Sequence, residues 1–285
     1  MAAHPSYCPE CKEAIEYWRV HCRCGHFLGY PNYREAAAER SELKKRYVVA
    51  RDDCTSRGVG SLLDKLKNLA RMSRPVIAMP FAACDNILRP GKYRNYYQRI
   101  ESGERDPASR IHHSDRDIVG ARIFPKYNGH MHYAALSSDG RGLSSYGAVA
   151  VRWEVTATYI GRRASLLEMN SYAFFNQYSL GDLGASIPQG YRAVWKDRMK
   201  LAVAKIGPSL TSATSERDLP NLMLKAGTTR NDDDFIEVAI YAEEGLDTRD
   251  VNLVIVQQSP TTSEEAYRRD LVSEICSVRR IAFVD

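Results

Sequence analysis

The first 24 residues hold four of the chain's seven cysteines, Cys8, Cys11, Cys22 and Cys24, in the string "YCPECKEAIEYWRVHCRCGHFLGY". A Cys-x-x-Cys pair turns so that both thiolates face one point, and a second pair about ten residues later closes a tetrahedron around a borderline-soft ion. The layout predicts a zinc ribbon over residues 1–32. Between the pairs, "AIEYWRVH" alternates well enough for a small hairpin strand, and Gly25 supplies the backbone freedom a knuckle turn needs. The second pair is Cys-x-Cys. Cys22 with Cys24 completes the preferred ligand set; His21 with Cys24 would restore a two-residue gap, and His26 is a third option. Four protein ligands leave no open position, so this zinc is structural, and binding worth about 10–16 kcal/mol is what would fold so small a piece. Cys54, Cys84 and Cys276 are scattered, and an odd total argues against a disulfide framework.

The remainder has the composition of an ordinary globular protein, 44% hydrophobic and 26% charged, which argues against disorder. No apolar run approaches the ~20 residues of a membrane span. "MAAHPSYCPECK" lacks a charged start followed by an apolar stretch, so a cytoplasmic location is expected. Charge is placed unevenly: residues 1–74 hold 14 Lys/Arg against 9 Asp/Glu, whereas residues 75–285 hold 26 of each. A basic segment on a neutral body predicts an acidic partner, nucleic acid first; a merely solvated basic helix explains the same counts.

Residues 34–53 are rich in helix formers, and Val59, Leu62, Leu63, Leu66 and Leu69 form one stripe of an amphipathic helix over 59–72. These predict a basic helical linker over 33–74, broken at Arg57–Gly58 and ended by Pro75. From there to 285 the texture is α+β. "VIAMPF" (76–81), "HYAALSS", "YGAVAVRWEVT" (146–156), "DFIEVAIYA" and "VNLVIVQQ" (251–258) read as strands, and 98–130 as a polar loop. "SYAFFNQY" (171–178) and "YRAVWKDRMKLAVAKIG" (191–207) read as helices. Thr262 and Glu265 are spaced as a capping box before a last helix.

Within "DDDFIEVAIY" (232–241) the alternation puts Ile236, Val238 and Ile240 on one face and Phe235, Glu237, Ala239 and Tyr241 on the other. A carboxylate between aromatics either faces water or lines a cleft and does chemistry.

Four segments in order resemble a divergent bacterial ADP-ribosyltransferase-fold domain of the toxin type, over 75–258. They are "PVIAMPFAACDNILRPGKYRNYYQRIESG", "MHYAALSSDGRGLSSYGAVAVRWEV", "RRASLLEMNSY" and "DDDFIEVAIYAEEGLDTRDVNLVIV". The resemblance implies a split mixed or antiparallel sheet, NAD as substrate, and Glu237 at the family's catalytic glutamate position. There a carboxylate accepting a ribose hydroxyl stabilises the oxocarbenium-like sugar, as in glycosidases. It further implies cofactor contacts from Arg94, with Arg74 or Arg89 as alternatives, from Tyr93 and Tyr146 stacking on nicotinamide, and from Ser144 and Ser145 supporting the glutamate. The chain departs from the family where the opening strand should present His or Arg and Phe81 stands instead.

Three functions follow. The first is an NAD-dependent transferase modifying a macromolecule, RNA or DNA over protein, as a toxin or phage-defence effector with an antitoxin or chaperone as partner. The second is a zinc-headed binding module with an inactive transferase-like body. The third, and faintest, is a metal-dependent nuclease using His112, His113 and Asp115, a group that reads more readily as a polar loop. His130 and His132 alternate on one face of a possible strand, "SSDGRG" has turn glycines without P-loop spacing, and "KDRMK" is a solvated helix face.

Overall fold

The computed structural model describes residues 7–89, 91–107, 110–155, 159–227 and 232–285. Its strands are β1 (Arg74–Met79), β2 (Lys92–Tyr93), β3 (Met131–Ser137), β4 (Val149–Trp153), β5 (Ala164–Leu167), β6 (Arg192–Val194), β7 (Leu224–Lys225), β8 (Asp234–Phe235), β9 (Glu237–Tyr241), β10 (Leu246–Asp247), β11 (Val251–Val256) and β12 (Ala282–Val284). Eight of them form one unbroken sheet in the order β12-β11-β4-β1-β3-β9-β5-β6. Every neighbouring pair is antiparallel except β11–β12 at one edge. Two short ladders, β2–β10 and β7–β8, stand apart.

Helices are interspersed: α1 (Pro31–Ala38), α2 (Arg40–Ser56), α3 (Gly60–Met72), α4 (Phe81–Leu88), α5 (Tyr96–Glu101), α6 (Arg110–Ile123), α7 (Ile160–Arg163), α8 (Ser171–Gln177), α9 (Arg198–Ile206), α10 (Leu219–Met223) and α11 (Ser263–Arg279). This is the α+β class that the sequence predicts. Among the described residues no helix is long and apolar enough to cross a membrane.

Strand alternation divides the core in two. On one face Ile77, Met79, Ala134, Leu136, Val151, Trp153, Val238 and Ile240 join the main core, which α2, α3, α4, α9 and α11 complete. On the other face Met131, Leu167, Ala239 and Tyr241 pack with Val119, Ile123 and Phe124 at the end of α6, and with Phe174 of α8. Both faces of β9 are therefore covered, and Glu237 belongs to the smaller core side.

The helices of 33–74 are not a linker. Leu43, Ala50, Cys54, Val59, Leu63, Leu66 and Ala70 are buried in the main core against α9. The amphipathic stripe is real, but its apolar side is a wall of the body. Their positive charge is spent there too: Arg40 pairs with Asp197, Arg46 with Glu168, Lys65 with Glu216 and Arg74 with Glu154.

Two other readings change. The stretch 191–207 opens as β6, a 3-10 turn follows, and helix begins only at Arg198. Buried Arg192 is held by Glu35 and Glu39 of the α1–α2 corner, and Glu39 also accepts the Gly190 and Arg192 amides at 2.8 and 3.2 Å. Those long-range bonds outweigh helix propensity. The supposed loop 98–130 contains α5 and α6, because Val119 and Ile123 supply one buried i,i+4 edge while the rest stays polar. Phe81, placed on the opening strand, instead starts α4 with its ring in the main core.

Leu66→Ala tests whether 33–74 is part of the body. It should lower unfolding stability by about 2–5 kcal/mol, read as a drop in the urea midpoint; an unchanged midpoint would restore the linker reading.

Candidate functional site

The four cysteines form a candidate metal centre built from two knuckles. Cys8 accepts the Lys12 amide through its carbonyl at 3.0 Å, and Cys22 accepts the Gly25 amide at 2.9 Å. Each turn ends in a left-handed residue just past its second cysteine, Lys12 at φ 61° and Gly25 at φ 88°. The four sulfurs converge, with Cys8–Cys24 at 3.7 Å, Cys11–Cys22 at 3.4 Å and every pair within 4.8 Å. A tetrahedral ion with metal–sulfur bonds of about 2.3 Å requires sulfurs about 3.8 Å apart, so the set fits zinc. His21 and His26 lie outside it: His21 leans on Phe27 at 5.4 Å between centroids, and His26 faces Glu10 at 3.7 Å.

This head is seated on the body. Trp18 and Val20 pack into the smaller core, Lys126 lies 3.7 Å over the Trp18 ring, and Arg34 donates to the Tyr17, Arg19 and Gly29 carbonyls. A cleft of about 260 Å³ between head and body is lined by Arg19, His21, Lys126, His130, Tyr241 and Glu243, among others.

Glu237 opens β9, paired across to Ala135 of β3 on one side and Leu167 of β5 on the other. Its side chain is 3% exposed. Oε2 accepts from the Ser171 amide and the Ser171 hydroxyl, both at 3.3 Å, while Oε1 is buried with no hydrogen-bond partner among the described residues. Burial pushes the carboxyl up to about 7, and the two Ser171 bonds only partly oppose it. Asn170 caps α8 by accepting the Tyr172 and Ala173 amides, which leaves the Ser171 amide aimed at the glutamate. Ser171 is thus the partner that sequence reading assigned elsewhere; the Asn-Ser pair opening a short helix signals its cap, but nothing local signals that the cap faces Glu237.

The other predicted residues divide. The 3-10 turn Ser144–Tyr146 lies on the Glu237 side, since Tyr146 packs with Ala135, Leu143 and Phe235. Ser145 donates to Asp233 at 3.0 Å, so the serine bond reaches the approach to β8 and β9. Gly147 lets this turn press on the chain, because a Cβ there would stand 2.0 Å from the Met79 carbonyl carbon.

Tyr93 is elsewhere: its ring packs on His132 and Trp153, on the main-core face, with the sheet between it and Glu237. Arg94 pairs with Glu104. Nearby Gln98 donates to the Ala242 and Glu243 carbonyls, at the opposite end of β9; five strand residues span roughly 17 Å. Arg74 and Arg89 are engaged by Glu154 and Asp85.

His132 is buried on the main-core face and pushed down to about 4 by desolvation, whereas His130 ends a 3-10 turn, so the two do not share a strand face. His113 bonds Tyr96 and faces Asp117 rather than Asp115, and the His112 side chain lies outside the described residues. Among the described residues the four cysteines are the one group of three or more His, Cys, Asp or Glu with metal-holding spacing.

The raised Glu237 carboxyl fixes a sign. Below the unfolded value of 4.5 both states hold the proton and nothing is lost; as pH rises to about 7 the unfolded chain ionises first and stability falls. The loss approaches about 3 kcal/mol. Urea midpoints for wild type and Glu237→Gln should therefore diverge between pH 5 and pH 8 in favour of the glutamine; parallel profiles would show an ordinary carboxylate. For the head, chelation should release about one zinc per chain and lower Tm, and Cys11→Ser should abolish stoichiometric zinc. No protein-family model matches this chain, and no curated protein matches it.

Proposed function

We propose that the chain is an NAD-dependent ADP-ribosyltransferase of the divergent toxin-like type, with Glu237 as its catalytic carboxylate and nucleic acid, RNA foremost, as its target. One observation carries the reading: among the described residues a buried carboxyl has no cation beside it and keeps one oxygen on Ser171 and the other unpartnered. A buried polar atom left unsatisfied costs about 1–3 kcal/mol, and such groups concentrate where ligands complete them. A ribose hydroxyl donating to Oε1 would do so.

In the reaction the nicotinamide–ribose bond breaks with its electron pair leaving on nicotinamide, and positive charge spreads over the ribose ring. The ionised carboxylate holds the hydroxyl and stabilises that charge; a nucleophile on the target then bonds the anomeric carbon. Ser171 orients the carboxylate, and the Ser144–Tyr146 turn forms part of the surrounding wall. Neither Glu237 nor Ser171 lines the head–body cleft. The toxin and defence role, with a neutralising partner, follows from the resemblance.

A second reading, a metal-headed binding protein with an inert body, draws on Tyr93, Arg94 and Phe81 standing away from Glu237. Labelled NAD incubated with separated RNA, DNA and protein pools decides between them. Wild type should label the RNA pool, and Glu237→Gln should lose roughly 100-fold or more; equal labelling by both would remove Glu237 from its role.

A further inference from the structure

The helix pair α5–α6 gathers an unusual set of groups outside the site just described. Tyr96 Oη lies 3.0 Å from His113 Nδ1, and His113 Nε2 lies 3.3 Å from Asp117. Two guanidinium groups, of Arg105 and Arg116, stand 5.1 and 5.0 Å from the centroid of the same Tyr96 ring. Their charges are therefore at most about 10 Å apart, near the screening length of physiological salt. Among the described residues neither has an ion-pair partner. Glu104, next to Arg105, faces Arg94 and Arg99 instead, and Asp117 faces His113.

Two guanidiniums without ion-pair partners beside one ring gain from its π system and leave positive charge that a bound anion would neutralise. Guanidinium forks match phosphate oxygens in geometry. Tyr97 stands edge-on to Tyr96, with ring centroids 5.3 Å apart. Cations beside aromatic rings are the combination that single-stranded nucleic acid uses, phosphates on the first and bases on the second. The surrounding segment agrees in charge: residues 91–126 hold eight Lys/Arg against five Asp/Glu, although 75–285 as a whole is neutral.

The cluster and Glu237 share one neighbour, Tyr133, which stands on the sheet face of Glu237. It lies two residues along β3 from the Ala135 that pairs with Glu237. Both the Glu237 carboxyl and the Arg116 guanidinium act electrostatically on the Tyr133 phenol.

We infer that Arg105 and Arg116, framed by Tyr96 and His113, form a phosphodiester-binding site that holds a single-stranded nucleic acid. The inference deepens the transferase reading by locating where its target docks. The basic metal head, whose Arg19 pairs with its own Glu16, is not required to hold it.

The test measures binding of a labelled single-stranded uridine oligonucleotide to the full chain by fluorescence anisotropy over a salt series. Removing two phosphate contacts from a single strand should reduce the slope of log affinity against log salt by about 1.4. Arg105→Ala with Arg116→Ala should show that reduction and bind roughly tenfold more weakly at moderate salt. Arg116→Lys should restore part of the slope. Arg268→Ala with Arg269→Ala removes two charges from α11 as a control. An unchanged slope in the Arg105/Arg116 variant, or an equal fall in the control, overturns the site.

Competing NAD provides a second arm. If NAD displaces nothing, the strand assignment stands; if the Arg105/Arg116 variant loses NAD binding while keeping the oligonucleotide slope, the site belongs to a dinucleotide and the assignment fails. Arginine-dependent binding without any NAD turnover would sink the transferase reading and leave this one intact.

Discussion

Burying the Glu237 carboxyl without a cation beside it is the constraint around which the second face of the sheet is arranged. β9 is an interior strand flanked by β3 and β5, so each of its side chains enters a covered layer. Val238 and Ile240 satisfy that requirement directly. Glu237 satisfies it by keeping its proton near neutrality and by leaning on Ser171. Asp197 shows the other solution in the same protein: burial raises it, but Lys200 and Arg40 more than compensate and hold it below the usual carboxylate range. The two buried acids thus follow different solutions: among the described residues two cations hold one, and Ser171 is the only partner of the other.

The sequence made the metal head legible because thiolate spacing is a local property. The choice between Cys22 and His21 was not local; it depended on His21 being turned toward Phe27. Strands with clean alternation, such as β4, β9 and β11, were legible for the same reason, and so was the Thr262 cap, which accepts the Glu265 amide at 3.1 Å. What failed was whatever distant partners decide. Arg192 belongs to a strand because Glu35 and Glu39 wait for it more than 150 positions earlier. The stripe of α3 gave amphipathicity without saying which surface would cover it.

The site was half legible in the same sense. Periodicity places Glu237, Phe235 and Tyr241 on one side of the strand, and all three are buried there. Tyr93 and Arg94 sit close to one another in sequence and so invited a shared role, but β2 joins β10 at the far end of β9 and turns the Tyr93 ring to the opposite face. Ser171 and the α5–α6 cluster depend on loops folding back across the sheet, which no spacing rule reports. The basic N-terminal quarter shows a related dependence: net charge counts ions without their partners, and Arg40, Arg46, Lys65 and Arg74 pair with Asp197, Glu168, Glu216 and Glu154.

The proton on Glu237 links the resting protein to the chemistry proposed for it. With a carboxyl near 7, neutral and ionised forms coexist at neutral pH, so little free energy separates them. The neutral form suits an empty, dry layer, where an isolated carboxylate would be strongly disfavoured. A substrate carrying the positive charge of a nicotinamide ring reverses that preference, since an opposite charge within a few ångströms lowers a carboxyl's affinity for its proton. Binding would then create the carboxylate at the moment it is useful, and stabilisation would grow as charge moves onto the ribose. A carboxylate permanently paired with an arginine could not respond in this way, because its field would already be cancelled. The missing cation beside Glu237 is on this account the feature that lets one buried acid serve both the folded resting state and the transition state.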